Sequence, residues 1–488
     1  MVSHRIRCAA SVGLIGLLTA ALPAAEPDWR PQLNALVQPL VETEMIVCLA
    51  VGVVRDGRTA TGFYGKLAGT DAERPPDGQT LFEIGSVSKV FTGILLADAV
   101  GRGRVKLDDP IAALLPAEVR PPTRDDRPIT LADLATHFSG LPRLPDNMLP
   151  IMAKNPANPY ADYTAERLYE FLAKHRPATA PGKNFAYSNL GVGLLGHLLA
   201  RQANATYEDL LRERVCKPLR LGDTRIALDD DLRRRLAPPH DADATPATNW
   251  DIPTFAGAGA IRSTLDDMLR FAATNLDPPA GLLGDAIRLA QQPRRSIAGE
   301  KEKIGLGWMI KTEPGVWWHN GQTGGYHSFV ACQPSRWLAV VVLANTATGA
   351  VDALGWRVLK LAVGEKAEPI AVRRFVAAKP ETLERYVGHY EGVPGLEFHV
   401  TRDGPRLYVQ LPAQPRLRVF PETESDFFYR AVDARITFEV GDDGKCRKLV
   451  LHQHGLNLPA WRGGLLGELG KRALAPTKPA GSEGPKQP

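Results

Sequence analysis

The sequence predicts an α+β protein: an antiparallel sheet flanked by helices and carrying a large helical insertion, followed by a small all-β domain. Three observations lead there. Strand-like runs cluster at 46–67 and return at 305–347; the chain from about 104 to 300 is mainly helical in pattern; and beyond Leu383 the texture changes to short strands with tight turns. At 488 residues the chain is too long for one ordinary domain, and 44% hydrophobic with 23% charged residues is a soluble globular composition.

The first residues read as an export signal over 1–25. A basic "MVSHRIR" leads into the apolar "CAASVGLIGLLTAALPAA", with cleavage expected between Ala21 and Ala25. Export implies a periplasmic or secreted protein, touching a membrane only if the signal stays uncleaved. Next, "DWRPQLNALVQPLVETEMI" spaces Leu33, Leu36, Val37, Leu40 and Val41 as one face of a helix. Two β runs then meet at Asp56-Gly57, a hairpin signal. "FEIGSVSKVFTGILLADAV" is a long apolar helix ending at "GRGRV".

After the helical stretch, "GLGWMIKTEPGVWWHNGQTGG" gives two short strands about a Glu-Pro-Gly turn. "HSFVACQPSRWLAVVVLANTA" gives two more about Pro334-Ser335, and "AVDALGWRVLKLAVG" closes the domain as a helix. The sheet is thus expected to draw on both ends of a domain spanning 26–366, with a terminal helix from each end on one face. A second domain over 378–465, of meander or half-barrel type, has hairpins at Asp403-Gly404 and Asp443-Gly444. The tail 466–488 has too few apolar residues to fold.

Composition excludes several functions. Formal net charge is +5, or +3 without Arg5 and Arg7, and no basic stripe with interleaved aromatics marks a nucleic-acid surface. Cys8 lies in the signal; Cys48, Cys216, Cys332 and Cys446 are far apart without zinc-like pairing and read as buried thiols. His452 and His454 share a strand face, but no third ligand accompanies them. Neither His-Glu-x-x-His nor Cys-x-x-Cys occurs, so no metal and no cofactor is expected. The pattern specifies no oligomeric state.

The chemistry starts at Ser86 and Lys89. Residues three apart share a helix face, so the lysine can lie beside the serine hydroxyl, and a helix start aims free N–H groups at developing negative charge. A chain of this size contains about one accidental Ser-x-x-Lys, so further motifs must decide. "FAYSNLGVGLLGHLLA" sets Tyr187-Ser188-Asn189 at the head of another apolar helix. "WWHNGQTGGYHSF" sets His319-Asn320-Gly321 on a strand whose glycines allow close approach. Weighed alone, Tyr187 reads as a core tyrosine, His319 as a strand histidine and Asn189 as a cap. In order, they read together.

Ser86–Lys89, Tyr187–Asn189 and His319–Gly321 resemble the ordered motifs of the class C β-lactamases, the low-molecular-weight DD-peptidases, the D-aminopeptidases and the family VIII esterases. "LATHFSGLPRLP", "GAGAIRSTLDDMLRF" and "GLGW" add to the likeness, which covers about residues 30–365. The resemblance implies the β-lactamase/transpeptidase fold and acyl transfer through a covalent serine intermediate. Ser86 would attack a carbonyl while Lys89 and Tyr187 share the acid–base work, with either able to take the first proton. Asn189 would bond Lys89 and the substrate amide, and the N–H groups of Ser86 and Gln322 would form the oxyanion hole, where one donor is worth ~3–4 kcal/mol. The final domain resembles the lipocalin-like extension of some of these hydrolases.

The implied substrates are D-Ala peptides, esters or β-lactams. His319 stands where the β-lactamases of the family usually have lysine, and an imidazole near pH 7 is mostly neutral. Recognition of a β-lactam carboxylate should weaken, which favours a peptidase or an esterase; a β-lactamase and a penicillin-binding sensor that acylates without turnover are the alternatives. The Gly-x-Ser-x-Gly elbow of the α/β-hydrolases is absent.

Overall fold

The computed structural model describes residues 29–67, 74–393, 396–412, 414 and 416–464. The expected export segment (1–25) and tail (466–488) lie outside the described residues.

Helix α1 (Arg30–Glu42) starts with a proline in its first turn and buries Leu33, Leu36, Val37 and Leu40. Strands β1 (Cys48–Arg55) and β2 (Arg58–Gly65) form the hairpin at Asp56-Gly57. A short strand β3 (Leu81–Glu83) pairs with β4 (Arg262–Thr264), well apart in the chain, and leads through a 3₁₀ turn at Gly85–Val87 into α2 (Ser88–Gly101). The sheet resumes with β5 (Arg295–Ala298), β6 (Glu302–Ile304), β7 (Met309–Lys311), β8 (Val316–Gln322), β9 (His327–Gln333) and β10 (Leu338–Ala344). Strands β4 and β5 fall inside the stretch read as helical; at three and four residues they are too short to show a two-residue alternation.

The eight-stranded sheet runs β2-β1-β10-β9-β8-β7-β6-β5, and β1 lies antiparallel to β10 from Leu49↔Ala344 to Arg55↔Leu338. The two ends of the domain therefore meet in its middle. Every residue of β9 and β10 is buried, because both faces of the sheet are covered. On one face α1 and the helix Ala350–Ala362 pack Leu36, Val37, Leu354 and Val358 against Val340 and Val342. On the other, α2 and the helix Leu265–Leu276 meet with Phe91 stacked on Phe271 at 4.2 Å. Cys48, Cys216, Cys332 and Cys446 are buried free thiols.

The second domain is a closed barrel of eight strands, in which each strand pairs with its chain neighbour. Its first strand β11 (Gly388–Glu391) meets the last, β18 (Leu456–Arg462), through Tyr390↔Arg462 and Glu391↔Trp461. Of the two expected forms the structure has the meander, and the half-barrel is corrected to a closed one. Closure is a contact between the ends of the domain, which no local turn signal reports. Tyr386, Tyr390, Phe398, Phe427 and Phe438 fill the interior, with Tyr386 stacked on Phe438 at 4.4 Å. His452 bonds Thr437 and Asn457 at 3.0 and 2.7 Å, which occupies both its ring nitrogens.

Two arginines dock the barrel. Buried Arg418 donates to the Glu44 carboxylate at 2.7 Å and the Asp243 carbonyl at 3.1 Å; Arg430 donates to the carbonyls of Glu44 and Thr43. Both guanidinium groups lie over the ring of Phe420, at 4.3 and 3.7 Å. Removing one partner from a buried pair leaves the other uncompensated. Arg418→Ala is therefore expected to cost about 3 kcal/mol, toward the low end because Glu44 keeps access to water. Urea denaturation measures this, and faster proteolysis in the 366–378 connection should accompany it.

Candidate active site

Ser86 sits in the 3₁₀ turn between β3 and α2, at the floor of a cavity of about 670 Å³. The turn is anchored from behind by Glu83, a buried carboxylate that accepts from Arg262 (3.1 Å), Asn249 (3.2 Å) and the Trp250 N–H (3.1 Å). One buried acid thus ties β3 to β4 and holds the backbone of Trp250, which lines the cavity.

Lys89 lies in the first turn of α2 and is wholly buried. Its Nζ donates to Ser86 Oγ at 2.8 Å and to the Ala258 carbonyl at 2.8 Å, and stands 5.0 Å above the Tyr187 ring. Burial, and then the charge of Arg143, hold its pKa well below the ordinary lysine value. A lysine so placed can be neutral and can accept a proton.

Tyr187 comes just before the helix Asn189–Ala203. Ser188 caps that helix, accepting from the Gly191 N–H at 2.9 Å and donating to the Pro142 carbonyl at 2.6 Å. The Ser188 N–H donates to His137 Nδ1 at 3.1 Å, and the buried imidazole packs 4.3 Å from the Tyr187 ring. This clamp orients the phenol beside Ser86; burial raises its pKa to about 12, and Ser86 works the other way. Asn189 donates to Tyr160 Oη at 3.4 Å, while its Oδ1 is buried without a protein partner. The bond from Lys89 that the sequence reading gave to Asn189 goes to the Ala258 carbonyl instead.

Strand β8 crosses directly over the Ser86 turn. A β-carbon on Gly321 would lie 2.0 Å from the Ile84 carbonyl oxygen and 2.7 Å from the Ser86 amide nitrogen; one on Gly85, at φ +48°, would lie 2.7 Å from the Gln322 amide nitrogen. Only two glycines allow this approach, which brings the Ser86 and Gln322 amides together. Ser328 on β9 bonds the Ile84 carbonyl at 2.8 Å and holds the sheet in register with the turn. His319 is buried beneath the strand, 2.5 Å from the Asn320 carbonyl through Nδ1, with its pKa pushed down to about 3 by burial and by Lys89. The next residue, Asn320, donates to Asp352 at 2.8 Å, and buried His327 meets the other oxygen of that carboxylate at 2.8 Å.

The fold brings Ser86, Tyr187, Asn189, Gly321 and Gln322 to the cavity wall and sets Lys89 and His319 behind it. Sequence reading missed Arg143, Trp250, Ala258 and Asp352 on the wall, and His137 behind it. Arg143, His137 and Ala258 lie within the "LATHFSGLPRLP" and "GAGAIRSTLDDMLRF" stretches, so their neighbourhood had been marked but not their roles. Trp250 and Asp352 carry no motif.

A serine held by a buried lysine under converging backbone amides defines a serine hydrolase. The chain belongs to the β-lactamase family, whose model matches residues 33–365. A second model, a domain of unknown function (DUF3471), matches residues 373–460. Similar proteins include a β-lactamase of Escherichia coli K12, 30% identical over 366 residues that cover 67% of this chain and 92% of the relative. A β-lactamase of Pseudomonas fluorescens is 29% identical over 65% of this chain and 94% of its own length. The D-alanyl-D-alanine-carboxypeptidase/endopeptidase AmpH of E. coli K12 is 28% identical over 69% of this chain and 89% of its own.

The glycine contact makes a direct prediction. Gly321→Ala and Gly85→Ala should each force β8 off the Ser86 turn and lower kcat by about 10²–10³, the effect of losing one oxyanion donor, with KM changed much less. Steady-state kinetics, with circular dichroism to confirm the fold, measures it.

Proposed function

We propose that this β-lactamase-family hydrolase is an exported enzyme that cleaves amide or ester bonds through an acyl-enzyme on Ser86. In this reading it is a D-amino-acid peptidase of the DD-carboxypeptidase type or an esterase. The observation that carries the mechanism is the 2.8 Å contact between Lys89 Nζ and Ser86 Oγ in a site whose burial depresses the lysine pKa. Neutral Lys89 takes the hydroxyl proton as Oγ attacks the carbonyl carbon. The Ser86 and Gln322 amides receive the oxyanion. Tyr187, whose raised pKa keeps it a phenol, gives a proton to the departing nitrogen or oxygen and takes one back from the Lys89 ammonium, which stands 5.0 Å above its ring. Water then repeats the sequence on the acyl-enzyme.

The preference for amide or ester over the β-lactam ring is supported by the charge along β8. His319 is enclosed and held neutral, and the neighbouring side chain on the cavity wall is the carboxylate of Asp352. A substrate carboxylate meets no fixed cation along β8 itself; the cation on the cavity wall is Arg143, which lies beside Tyr187. The resemblance to a relative named as a carboxypeptidase/endopeptidase agrees with this. The resemblance to relatives named β-lactamase keeps ring opening as the second reading. Export rests on the N-terminal pattern; among the described residues no helix is long and apolar enough to cross a membrane.

A panel of D-Ala-D-Ala peptides, p-nitrophenyl esters and nitrocefin tests the proposal, with Ser86→Ala as control. Turnover of peptide or ester should fall at least ~10³-fold in the variant; full activity in Ser86→Ala on every substrate would sink the mechanism. Nitrocefin should stay below a kcat/KM of ~10⁴ M⁻¹s⁻¹, and Asp352→Asn should raise it several-fold.

The pH profile is a separate check. Activity requires unprotonated Lys89, so kcat/KM should rise with pH through a midpoint below the ordinary lysine value and then level. A His319 held near 3 adds no limb in the imidazole range.

A further inference from the structure

The outer face of the barrel carries a cluster that the hydrolytic site does not use. Strands β11 (Gly388–Glu391) and β12 (Glu397–Asp403) are antiparallel, with His389 directly opposite His399 and Glu391 opposite Glu397. Tyr390 and Phe398 point into the barrel core, so by alternation these four side chains share the outer face. The imidazole centroids are 4.4 Å apart. One donor atom from each of His389, Glu397 and His399 lies within 4.8 Å of the other two. His389 Nε2 is shielded from solvent yet makes no hydrogen bond, and the Glu397 carboxylate stands 3.6 Å from it; the Glu391 carboxylate is 3.4 Å from Nδ1.

We propose that His389, His399 and Glu397 bind a divalent transition-metal ion of the zinc class, with water or Glu391 completing the shell. Tetrahedral zinc at bonds of ~2.0–2.1 Å holds its donor atoms about 3.3 Å apart. Donors already within 4.8 Å reach that spacing by small rotations of exposed side chains. Two imidazoles favour zinc, nickel or copper over magnesium or calcium, which prefer all-oxygen sites. Among the described residues, no lysine or arginine pairs with Glu391 or Glu397. A dication would therefore supply the positive charge that the two carboxylates lack.

The position gives the ion a structural consequence. β11 is the strand that closes the barrel, and it meets β18 through only two residue pairs. A metal bridging β11 to β12 holds the closing strand in place from its other side. The ion is not assigned a part in the hydrolysis at Ser86.

The test uses the full chain, stripped with EDTA and titrated with Zn²⁺ by calorimetry, with Co²⁺ spectra reporting imidazole ligation. One ion per chain is expected, with a Kd below about 100 µM. His389→Ala and His399→Ala should each weaken binding at least ~10-fold, as should Glu397→Gln, while His454→Ala changes nothing. Saturating Zn²⁺ should raise the melting temperature of the native chain and leave that of His399→Ala unmoved. Binding that survives both histidine substitutions, or a Kd weaker than about 1 mM, overturns the proposal. Displacement by millimolar Mg²⁺ overturns the assignment to the zinc class.

Discussion

The burial of one lysine sets the terms for the rest of the catalytic domain. Lys89 is enclosed on α2 between the sheet and the helices of the insertion, with Ser86 and the Ala258 carbonyl as its bonded partners. Enclosing a charged ammonium costs several kcal/mol, and a group in that position lowers its pKa instead. Arg143, on the cavity wall, works in the same direction. The same enclosure keeps His319 neutral and Tyr187 protonated, so a single physical condition sets the protonation of three groups around one hydroxyl.

Around that condition the architecture supplies positions. The sheet lays β8 across the serine turn at a distance only glycine tolerates, and Glu83 holds the turn from the other side while fixing Trp250. The barrel is not remote from this. Arg418 and Arg430 grip the loops at 43–44 and 243, and Tyr408 approaches Thr245 at 3.3 Å, five residues before Trp250. The barrel thus rests on the back of the segment whose end forms a cavity wall.

Much of this was legible in the sequence, because it is local. The Asp56-Gly57 hairpin, the apolar face of α1 and the strands about Pro334-Ser335 are written in spacing and turn chemistry, and the structure has them. Strands β4 and β5 were not legible, since a strand of three or four residues shows no period. Closure of the barrel was not either, for it joins Tyr390 to Arg462 across the whole domain. His452 and His454 do not share a strand face, because β17 ends at Gln453 and His454 lies in the turn beyond it; His389 and His399 do share one. These lie ten residues apart in the chain, and only strand register sets them face to face.

For the site, the sequence by itself determined which residue types were present and in what order: Ser86 with Lys89, Tyr187 with Asn189, and a His-x-Gly strand. Order and spacing suffice there because each motif sits on one element. Only the tertiary structure decided that Lys89 leans on Ala258 rather than Asn189, that His319 lies under the strand rather than in the cavity, and that Arg143 and Asp352 line the cavity. Those are facts of packing between segments tens to hundreds of residues apart. Burial and charge, which decide what each group can do, exist only once such segments are in contact.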